Sequence, residues 1–387
     1  MNRSANPFRA TLGSTPPYLA GRASELAEFR YALEEGPGAH ERVTVVTGLR
    51  GVGKTVLLNA YEDEAREQSW HVISETATRG FTQRLTDTLF RLTEDRHDQG
   101  RRKLTGLNIA ALGGVQLSTP TDYCPQPTLR EVLTQYLDIQ ENIDRALDQK
   151  PVGLLITVDE LHYNRTEEIT DFGAVIQHLV REDRQIAVAM AGIPQSVNPL
   201  LADAGGDNPV TFLRRANRVD LGLIADDDVR RALKEPVENS GCRFTPEALE
   251  SAVQACAGYP FMIQLVGQES FRHREGEMIS VASVELGAAK AKRKLGQLVH
   301  EASLRDLSNV DRTFLAAMAA DDGPSKTRDI ATRMGVDAQY VGTYRRRLIE
   351  AEMITAVGHG LVDFELPFMR SYLRDHMSGG RSRRLTA

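Results

Sequence analysis

The first half of the chain alternates between two patterns of apolar and polar residues. Short runs rich in β-branched residues, Arg42 to Thr47 and Trp70 to Ala77, are separated by segments with helical periodicity, such as Thr82 to Asp95. The apolar run from Pro151 to His162 is typical of a strand buried on both faces. Together these patterns predict an α/β fold in which helices cover both faces of a parallel sheet.

Two further segments complete this half of the chain. The residues from Thr128 to Leu147 predict a long amphipathic helix with Thr128 as its N-cap. Between Arg101 and Pro127, weak alternation around Gly113 and Gly114 predicts a small inserted hairpin.

The pattern changes after Ser303 to a compact series of helices followed by a hairpin. Three helices are predicted in 308–320, 325–335 and 338–353, and the short turn between the second and the third is typical of a helix-turn-helix. Two strands are predicted between Ile354 and Pro367, around a glycine-rich turn. The sequence therefore predicts a C-terminal winged helix-turn-helix.

The segment TVVTGLRGVGKTVLLNAY, from Thr44 to Tyr61, contains the phosphate-binding motif G-x-x-x-x-G-K-[ST] between a predicted strand and a predicted helix. Its glycines permit positive φ angles and let backbone N–H groups approach an anion. The Lys54 ammonium reaches the β- and γ-phosphates, and the Thr55 hydroxyl binds Mg²⁺. ATP and Mg²⁺ are thus the predicted ligands. The predicted nucleotide-binding residues are Gly48, Leu49, Arg50, Gly51, Val52, Gly53, Lys54, Thr55 and Val56.

Asp159 and Glu160 end the apolar run that begins at Pro151. Parallel sheets bind ligands at the carboxyl ends of their strands, so both carboxylates are expected at the ligand-binding edge. Asp159 is suited to hold the Mg²⁺ shell, and Glu160 is suited to orient and polarise an attacking water.

Composition narrows the class of protein. The chain has 387 residues, of which 41% are hydrophobic, and this is enough for two or three globular domains. It contains neither a run of about 18 apolar residues nor the apolar region of a secretory signal, so we expect a cytoplasmic protein without a membrane contact. The three cysteines are too far apart to predict a zinc site or a disulfide framework: Cys124, Cys242 and Cys256.

The net charge of −6 is unevenly distributed. From Lys290 to Ala387 there are 17 lysines and arginines against 12 aspartates and glutamates. A basic module joined to an acidic body favours a nucleic-acid contact at that end, although a solvated charged surface would have the same composition.

The phosphate-binding motif followed by the strand ending in Asp159 and Glu160 resembles the AAA+ and STAND group of P-loop ATPases. YLAGRASEL, from Tyr18, resembles the G-R-x-x-E box of these families, which implies that Gly21 and Arg22 lie near the adenine. AVAMAGIPQSV resembles the next core strand, but Ala191 and Gly192 stand where a polar sensor residue is usual.

The resemblance continues into the second half of the chain. The segment from Thr211 to Ile224 resembles the one that often supplies an arginine finger, so Arg214 or Arg215 is implied to stabilise charge at a neighbouring subunit's γ-phosphate, and a pair of solvated arginines is the alternative. GYPFMIQLVG, from Gly258, resembles the G-x-P start of a lid helix in STAND-like members. No arginine stands at the usual lid position.

The C-terminal pattern resembles the winged-helix domain of origin-recognition-type initiator ATPases and of several STAND regulators. Arg345, Arg346 and Arg347 lie late in the predicted recognition helix, where they suit phosphates of double-stranded DNA better than base edges. Winged helices also bind proteins, which leaves a protein partner as the alternative. Sequence-independent DNA contacts are also expected from Lys290, Lys292, Arg293, Lys294, Arg381, Arg383 and Arg384.

The expected organisation is an N-terminal segment (1–40), an ATPase core (41–225), a helical lid (226–298), a winged helix (299–376) and a basic tail (377–387). The leading functional hypothesis is an Mg²⁺-dependent ATPase that acts as a nucleotide-controlled switch and binds DNA. The rival is a signalling scaffold that binds ATP tightly, hydrolyses little of it and uses the winged helix to hold a protein partner. A homo-oligomer is a separate alternative for the partner. A small-molecule kinase is a weaker alternative, because no acceptor pocket is visible in the sequence.

Overall fold

The computed structural model describes residues 5–11, 13–104, 127–161, 166–194, 196–197, 211–305 and 307–379. The chain divides into two compact units. The sheet unit comprises residues 24–47 and 57–220, and the helical unit comprises residues 1–23, 48–56 and 221–387. Among the described residues, no helix combines the length and the apolar composition needed to cross a membrane.

Five strands form one parallel sheet: β1 (Val43–Gly48), β2 (His71–Thr76), β3 (Leu154–Leu161), β4 (Ile186–Gly192) and β5 (Asn217–Leu221). Their order in the sheet is β2-β3-β4-β1-β5, so β4 lies between β1 and β3. Every residue of β1 and β4 is buried, as expected for central strands covered on both faces. The predicted α/β fold with a parallel sheet is confirmed.

The helices of this half pack their apolar faces on the sheet. Leu85 and Leu89 from one helix join Leu133 from the next and sheet residues such as Ile156 in one buried cluster. These helices are α1 (Ala23–Glu35), α2 (Lys54–Glu67), α3 (Phe81–Leu104), α4 (Leu129–Leu147), α5 (Thr166–Arg181) and the short α6 (Thr211–Arg214).

Helix α4 begins where the sequence predicts. The Thr128 hydroxyl accepts a hydrogen bond from the Glu131 backbone N–H, and the Glu131 carboxylate accepts one from the Thr128 N–H, which completes a capping box. At the other end, Asp148 adopts the left-handed conformation that ends the helix.

Helix α3 is longer than its periodic segment, because it continues through Leu104 with charged and polar residues that give no apolar signal. The hairpin predicted between Arg101 and Pro127 lies outside the described residues except at its ends. Residues 101–104 there belong to α3, which corrects the predicted start of the hairpin.

The helical unit continues after β5 with four helices and a two-stranded sheet. Strands β6 (Arg243–Phe244) and β7 (Met278–Ile279) are parallel. Thr245 and Ser280 cap the helices that follow these strands. The helices are α7 (Asp226–Asn239), α8 (Pro246–Cys256), α9 (Pro260–Arg272) and α10 (Val281–Leu295).

Residues 296–300 form a π-helical turn that leads from α10 into α11 (Glu301–Arg305). The rest of the chain forms a second apolar cluster that includes Phe314, Ile330, Leu348 and Val362. Its elements are α12 (Asn309–Ala319), β8 (Ser325–Lys326), α13 (Thr327–Met334), α14 (Ala338–Glu350), β9 (Ile354–Gly358), β10 (Leu361–Phe364) and α15 (Met369–Gly379).

Helices α12, α13 and α14 and both hairpin strands lie where the sequence predicts them. Gly335, with a φ of 66°, ends α13 and makes the turn before α14. The strands β8, β10 and β9 form an antiparallel sheet in that order. The sequence analysis predicted neither β8, which has only two residues, nor α15.

Candidate functional site

The phosphate loop connects β1 to α2 and belongs to the helical unit. Gly48, Gly51 and Gly53 have φ angles of 150°, 79° and 98°, as the motif requires of its glycines. A Cβ on Gly48 would lie 2.7 Å from the Leu221 carbonyl oxygen, so the loop leaves β1 with its backbone packed against the end of β5.

Lys54 is the first residue of α2 and folds back over the loop. Its Nζ donates to the carbonyl oxygens of Gly48, at 2.6 Å, and of Leu49, at 2.8 Å. These bonds hold a positive charge beside the loop backbone, at the N-terminal end of a 14-residue helix whose dipole also favours an anion.

The residues between the motif glycines make contacts within the helical unit. The Leu49 side chain packs against the C-terminal apolar cluster. The Arg50 carbonyl accepts a hydrogen bond of 2.6 Å from the hydroxyl of Tyr259, which immediately precedes α9. Gly51 faces the same tyrosine, because a Cβ there would lie 2.2 Å from the Tyr259 oxygen.

Asp159 and Glu160 lie near the carboxyl end of β3. The Glu160 N–H donates to the Asp159 carboxylate at 2.7 Å, and Glu160 has a left-handed φ of 57°. The pairing of β3 with β4 shifts register between Val158 and Leu161, so the two acidic residues occupy an irregularity in the strand. Asp159 is half-buried and Glu160 is exposed.

A left-handed conformation is unfavourable for glutamate and is kept only where the surroundings enforce it. Within the sheet, β1 and β3 are parallel and end at the same edge, with β4 between them. The strand that leads into the phosphate loop and the strand that carries both carboxylates therefore end on the same side of the sheet.

Gly21 and Arg22 lie near the chain segment that follows β5. Gly21 has a φ of 62°, and a Cβ there would be 3.1 Å from the Ile224 side chain. The buried Arg22 guanidinium donates to the Gly222 carbonyl at 2.8 Å. This bond fixes the first residues after β5, and the adenine contact of Gly21 and Arg22 stays a prediction.

The two arginines proposed as fingers lie just before β5. Arg214 ends α6 and is half-buried, whereas Arg215 is exposed. A role for either at a neighbouring subunit stays a prediction.

The three arginines of α14 differ in their surroundings. Arg345 is half-buried, Arg346 is exposed, and Arg347 donates to the buried Asp311 carboxylate at 3.0 Å. Arg347 thus has a structural partner within the C-terminal cluster. Its contact with a nucleic acid stays a prediction, as do those of Arg345 and Arg346.

Among the cations expected to add DNA affinity, Lys294 pairs with the buried Glu269 at 2.6 Å, and the Lys290 ammonium lies 2.8 Å from a ring nitrogen of His273. The tail arginines Arg381, Arg383 and Arg384 lie outside the described residues.

Two buried residues escaped the sequence analysis. Tyr259 lay inside the G-x-P segment without a role of its own. Glu62 is a buried carboxylate on α2 that bonds the hydroxyls of Ser74 and Thr157 and pairs with Arg66 at 2.9 Å. Its spacing was a usable signal, because Glu62 falls on the same helical face as the buried Leu58 and Ala65.

Two family models match parts of the sequence. Residues 18–191 match the family described as an AAA ATPase domain, and residues 297–373 match a domain of unknown function. No curated protein is significantly similar to the sequence.

Several solved structures are similar over nearly the whole chain. The Walker-type ATPase of Pyrococcus abyssi superimposes with a TM-score of 0.63 at 16% identity, over 92% of this chain and 96% of that one. The ORC1 protein of Aeropyrum pernix in complex with DNA has a TM-score of 0.42 at 16% identity, over 95% of both chains. The Thermotoga maritima RuvB Holliday junction branch migration motor has a TM-score of 0.43 at 13% identity, over 92% of this chain and 95% of that one.

Of these three structures, the Pyrococcus abyssi structure has a TM-score above 0.5, and at 16% identity the likeness concerns the fold. This likeness agrees with the family match and with the five-stranded parallel sheet. Residues 18–191 thus match the AAA ATPase domain family, and the chain has the fold of the P-loop nucleoside triphosphatases.

Proposed function

We propose that this protein is an Mg²⁺-dependent ATPase that works as a nucleotide-controlled switch. The observation that carries the proposal is the conformation of Glu160, a left-handed glutamate beside Asp159 at the carboxyl end of β3. This strand shares its sheet with the strand that leads into a complete G-x-x-x-x-G-K-[ST] loop.

Different residues bind the phosphates, activate the attacking water and bind Mg²⁺. Lys54 and the loop N–H groups bind the phosphates and oppose the charge that develops on them. Glu160 orients a water for in-line attack on the γ-phosphorus and accepts a proton from it, while the bond to the ADP oxygen breaks. The Thr55 hydroxyl and the Asp159 carboxylate supply the hard oxygen ligands that Mg²⁺ prefers.

The loop fits a phosphate group in two respects. A Cβ on Gly53 would meet nothing within 4 Å, so there is open space beside the backbone just before α2. The Lys54 ammonium donates to the carbonyl oxygens of Gly48 and Leu49, and a phosphate oxygen is a stronger acceptor than a carbonyl oxygen for a cationic donor. When bound, Mg²⁺ would neutralise part of the charge on the β- and γ-phosphates.

The proposal is tested by measuring ATP binding and ATP turnover separately. Lys54→Ala is expected to weaken ATP binding, because it removes the phosphate cation. Glu160→Gln is expected to bind ATP as tightly as wild type but to lose at least about 100-fold in turnover, because the amide cannot accept the proton of the water.

Glu75→Gln is the matched control. Glu75 is a carboxylate on the neighbouring strand β2, where it pairs with Arg84 at 2.9 Å, and its replacement should leave turnover nearly unchanged. Tight ATP binding without turnover by wild type would instead support the signalling scaffold. Equal binding by wild type and Lys54→Ala would contradict a nucleotide role for the loop.

We further propose that the elements from α12 to α15 form a winged helix that contacts DNA phosphates. The specific observation in favour is the exposure of three cations on this module: Arg346 on α14, Lys326 on β8, and Arg328 on α13, whose side chain is 87% exposed. Exposed cations can contact DNA phosphates and so displace the counterions bound there. This contribution to affinity does not depend on the DNA sequence.

Duplex DNA binding as a function of salt tests this second proposal. Arg346→Ala should weaken binding to all sequences alike and reduce the slope of log K against log salt by about 1. Arg347→Ala is the comparison, because its pairing with Asp311 predicts lower protein stability in addition to any loss of affinity. No DNA binding by wild type at low salt would favour a protein partner.

A further inference from the structure

Tyr259 is a fully buried tyrosine whose hydroxyl contacts the phosphate loop. The side chain is 0% exposed, and burial raises the pKa of the phenol above its usual value, so the hydroxyl keeps its proton at neutral pH. The hydroxyl donates this proton to the Arg50 carbonyl at 2.6 Å. The ring also occupies the space that any side chain at position 51 would need.

This hydrogen bond orients the peptide that joins Arg50 to Gly51. The described part of the chain has no cis peptide bond, and in a trans peptide the carbonyl and the following N–H point in opposite directions. With the Arg50 carbonyl turned to Tyr259, the Gly51 N–H points away from the tyrosine. Glycine with positive φ is the residue for which this peptide would otherwise rotate most easily.

The tyrosine itself is held firmly. It lies between Gly258, which has a φ of 69°, and Pro260, the first residue of α9. The Gly258 carbonyl accepts a hydrogen bond of 2.7 Å from the Ile224 N–H, and a Cβ on Gly258 would be 2.6 Å from the Ile224 oxygen. The backbone before Tyr259 is thus packed against the segment that follows β5.

We propose that Tyr259 is a positioning residue of the nucleotide site. Its hydroxyl fixes the orientation of the Arg50–Gly51 peptide, so that the Gly51 N–H can donate to the β- or γ-phosphate of ATP. This inference rests on the proposed ATP-binding function. It also links that site to α9, because the tyrosine that orients the peptide immediately precedes this helix.

The test compares Tyr259→Phe with wild type in the full-length protein, using ATP and AMP as probes. Phenylalanine keeps the ring against Gly51 and removes only the donor. We expect ATP affinity to fall roughly tenfold, the loss of one well-placed hydrogen bond, while AMP affinity stays within twofold. In steady-state turnover, KM for ATP should rise by a similar factor with little change in kcat.

Tyr136→Phe is the matched control, because Tyr136 is equally buried but belongs to the apolar cluster of the sheet unit. It should change neither affinity. Equal ATP affinity of wild type and Tyr259→Phe would overturn the inference. Equal losses of affinity for ATP and AMP, together with a lower Tm, would also overturn it, because they indicate a purely structural role. Wild type that fails to bind ATP, or binds it no better than Lys54→Ala, would instead overturn the proposed function.

Discussion

Gly51 and Gly53 lie in the same loop and both have positive φ angles, yet their surroundings differ. The Tyr259 ring crowds Gly51, whereas a Cβ on Gly53 would meet nothing within 4 Å. Glycine is therefore required at Gly51 for two reasons, a left-handed backbone and the absence of a side chain. At Gly53 only the left-handed backbone requires it.

Alanine substitution should separate these requirements. Gly53→Ala carries only the left-handed strain and is expected to lower the free energy of unfolding by about 1 kcal/mol without nucleotide. Gly51→Ala carries the same strain and a steric overlap with Tyr259, so we expect a loss of about 3 kcal/mol. Urea unfolding measures both, and equal losses would show that Tyr259 moves aside without resistance.

At the level of elements, the capping boxes that begin α4 and α12 differ in their surroundings. The box of α4 joins Thr128 to the exposed Glu131, whose pKa is lowered by the hydrogen bond from the Thr128 backbone. The box of α12 joins Ser308 to Asp311, which is 0% exposed and also pairs with Arg347 of α14. The second box thus ties two helices together as well as starting one.

Alanine at the third helical position should reveal this difference. Glu131→Ala removes an exposed cap and is expected to lower the free energy of unfolding less than the change at Asp311 does. Asp311→Ala removes the cap and the hydrogen bond to a charged partner, with an expected loss of about 2 to 3 kcal/mol.

Asp311→Ala combined with Arg347→Ala completes a double-mutant cycle. The coupling between the two sites should be about 1 kcal/mol or more, and strictly additive losses would mean that the ion pair contributes nothing.

For the molecule as a whole, a single buried histidine influences how stability depends on pH. His300 lies in the π-helical turn, is 1% exposed, and packs beside the Tyr372 ring with centroids 5.2 Å apart. Neither of its ring nitrogens has a hydrogen-bond partner among the described residues. Burial lowers the pKa of His300 from 6.5 to about 4.

The sign of the pH effect follows from this shift. Below pH 6.5 the unfolded chain binds a proton at His300 that the folded chain does not accept until about pH 4, so stability falls as the pH decreases through this range. The loss between pH 7.5 and pH 5 should be about 2 kcal/mol.

His300→Phe should reduce the decrease in the free energy of unfolding between pH 7.5 and pH 5. The matched control is His40→Gln, at an exposed histidine, which should leave this decrease as in wild type. Urea midpoints measured from pH 7.5 to pH 5 provide the comparison. Parallel curves for His300→Phe and wild type would contradict the assignment.

The sequence predicted much of the sheet and several local motifs, because these depend on short-range patterns. The buried strands β1 and β3 are continuous apolar runs, and the Thr128 cap is a local hydrogen-bonded motif. The phosphate loop is defined by glycines at fixed spacing. By contrast, β8 is too short to have a pattern, and the C-terminal part of α3 has no apolar face to mark it.

By itself, then, the sequence determined the α/β class, the phosphate loop and the position of Asp159 and Glu160, since spacing and periodicity act within a few residues. Only the tertiary structure decided that Glu160 is left-handed, that Arg347 pairs with Asp311, and that Tyr259 contacts the loop. Arg50 and Tyr259 are 209 positions apart. Such partners are chosen by the packing of distant segments, which no local pattern encodes.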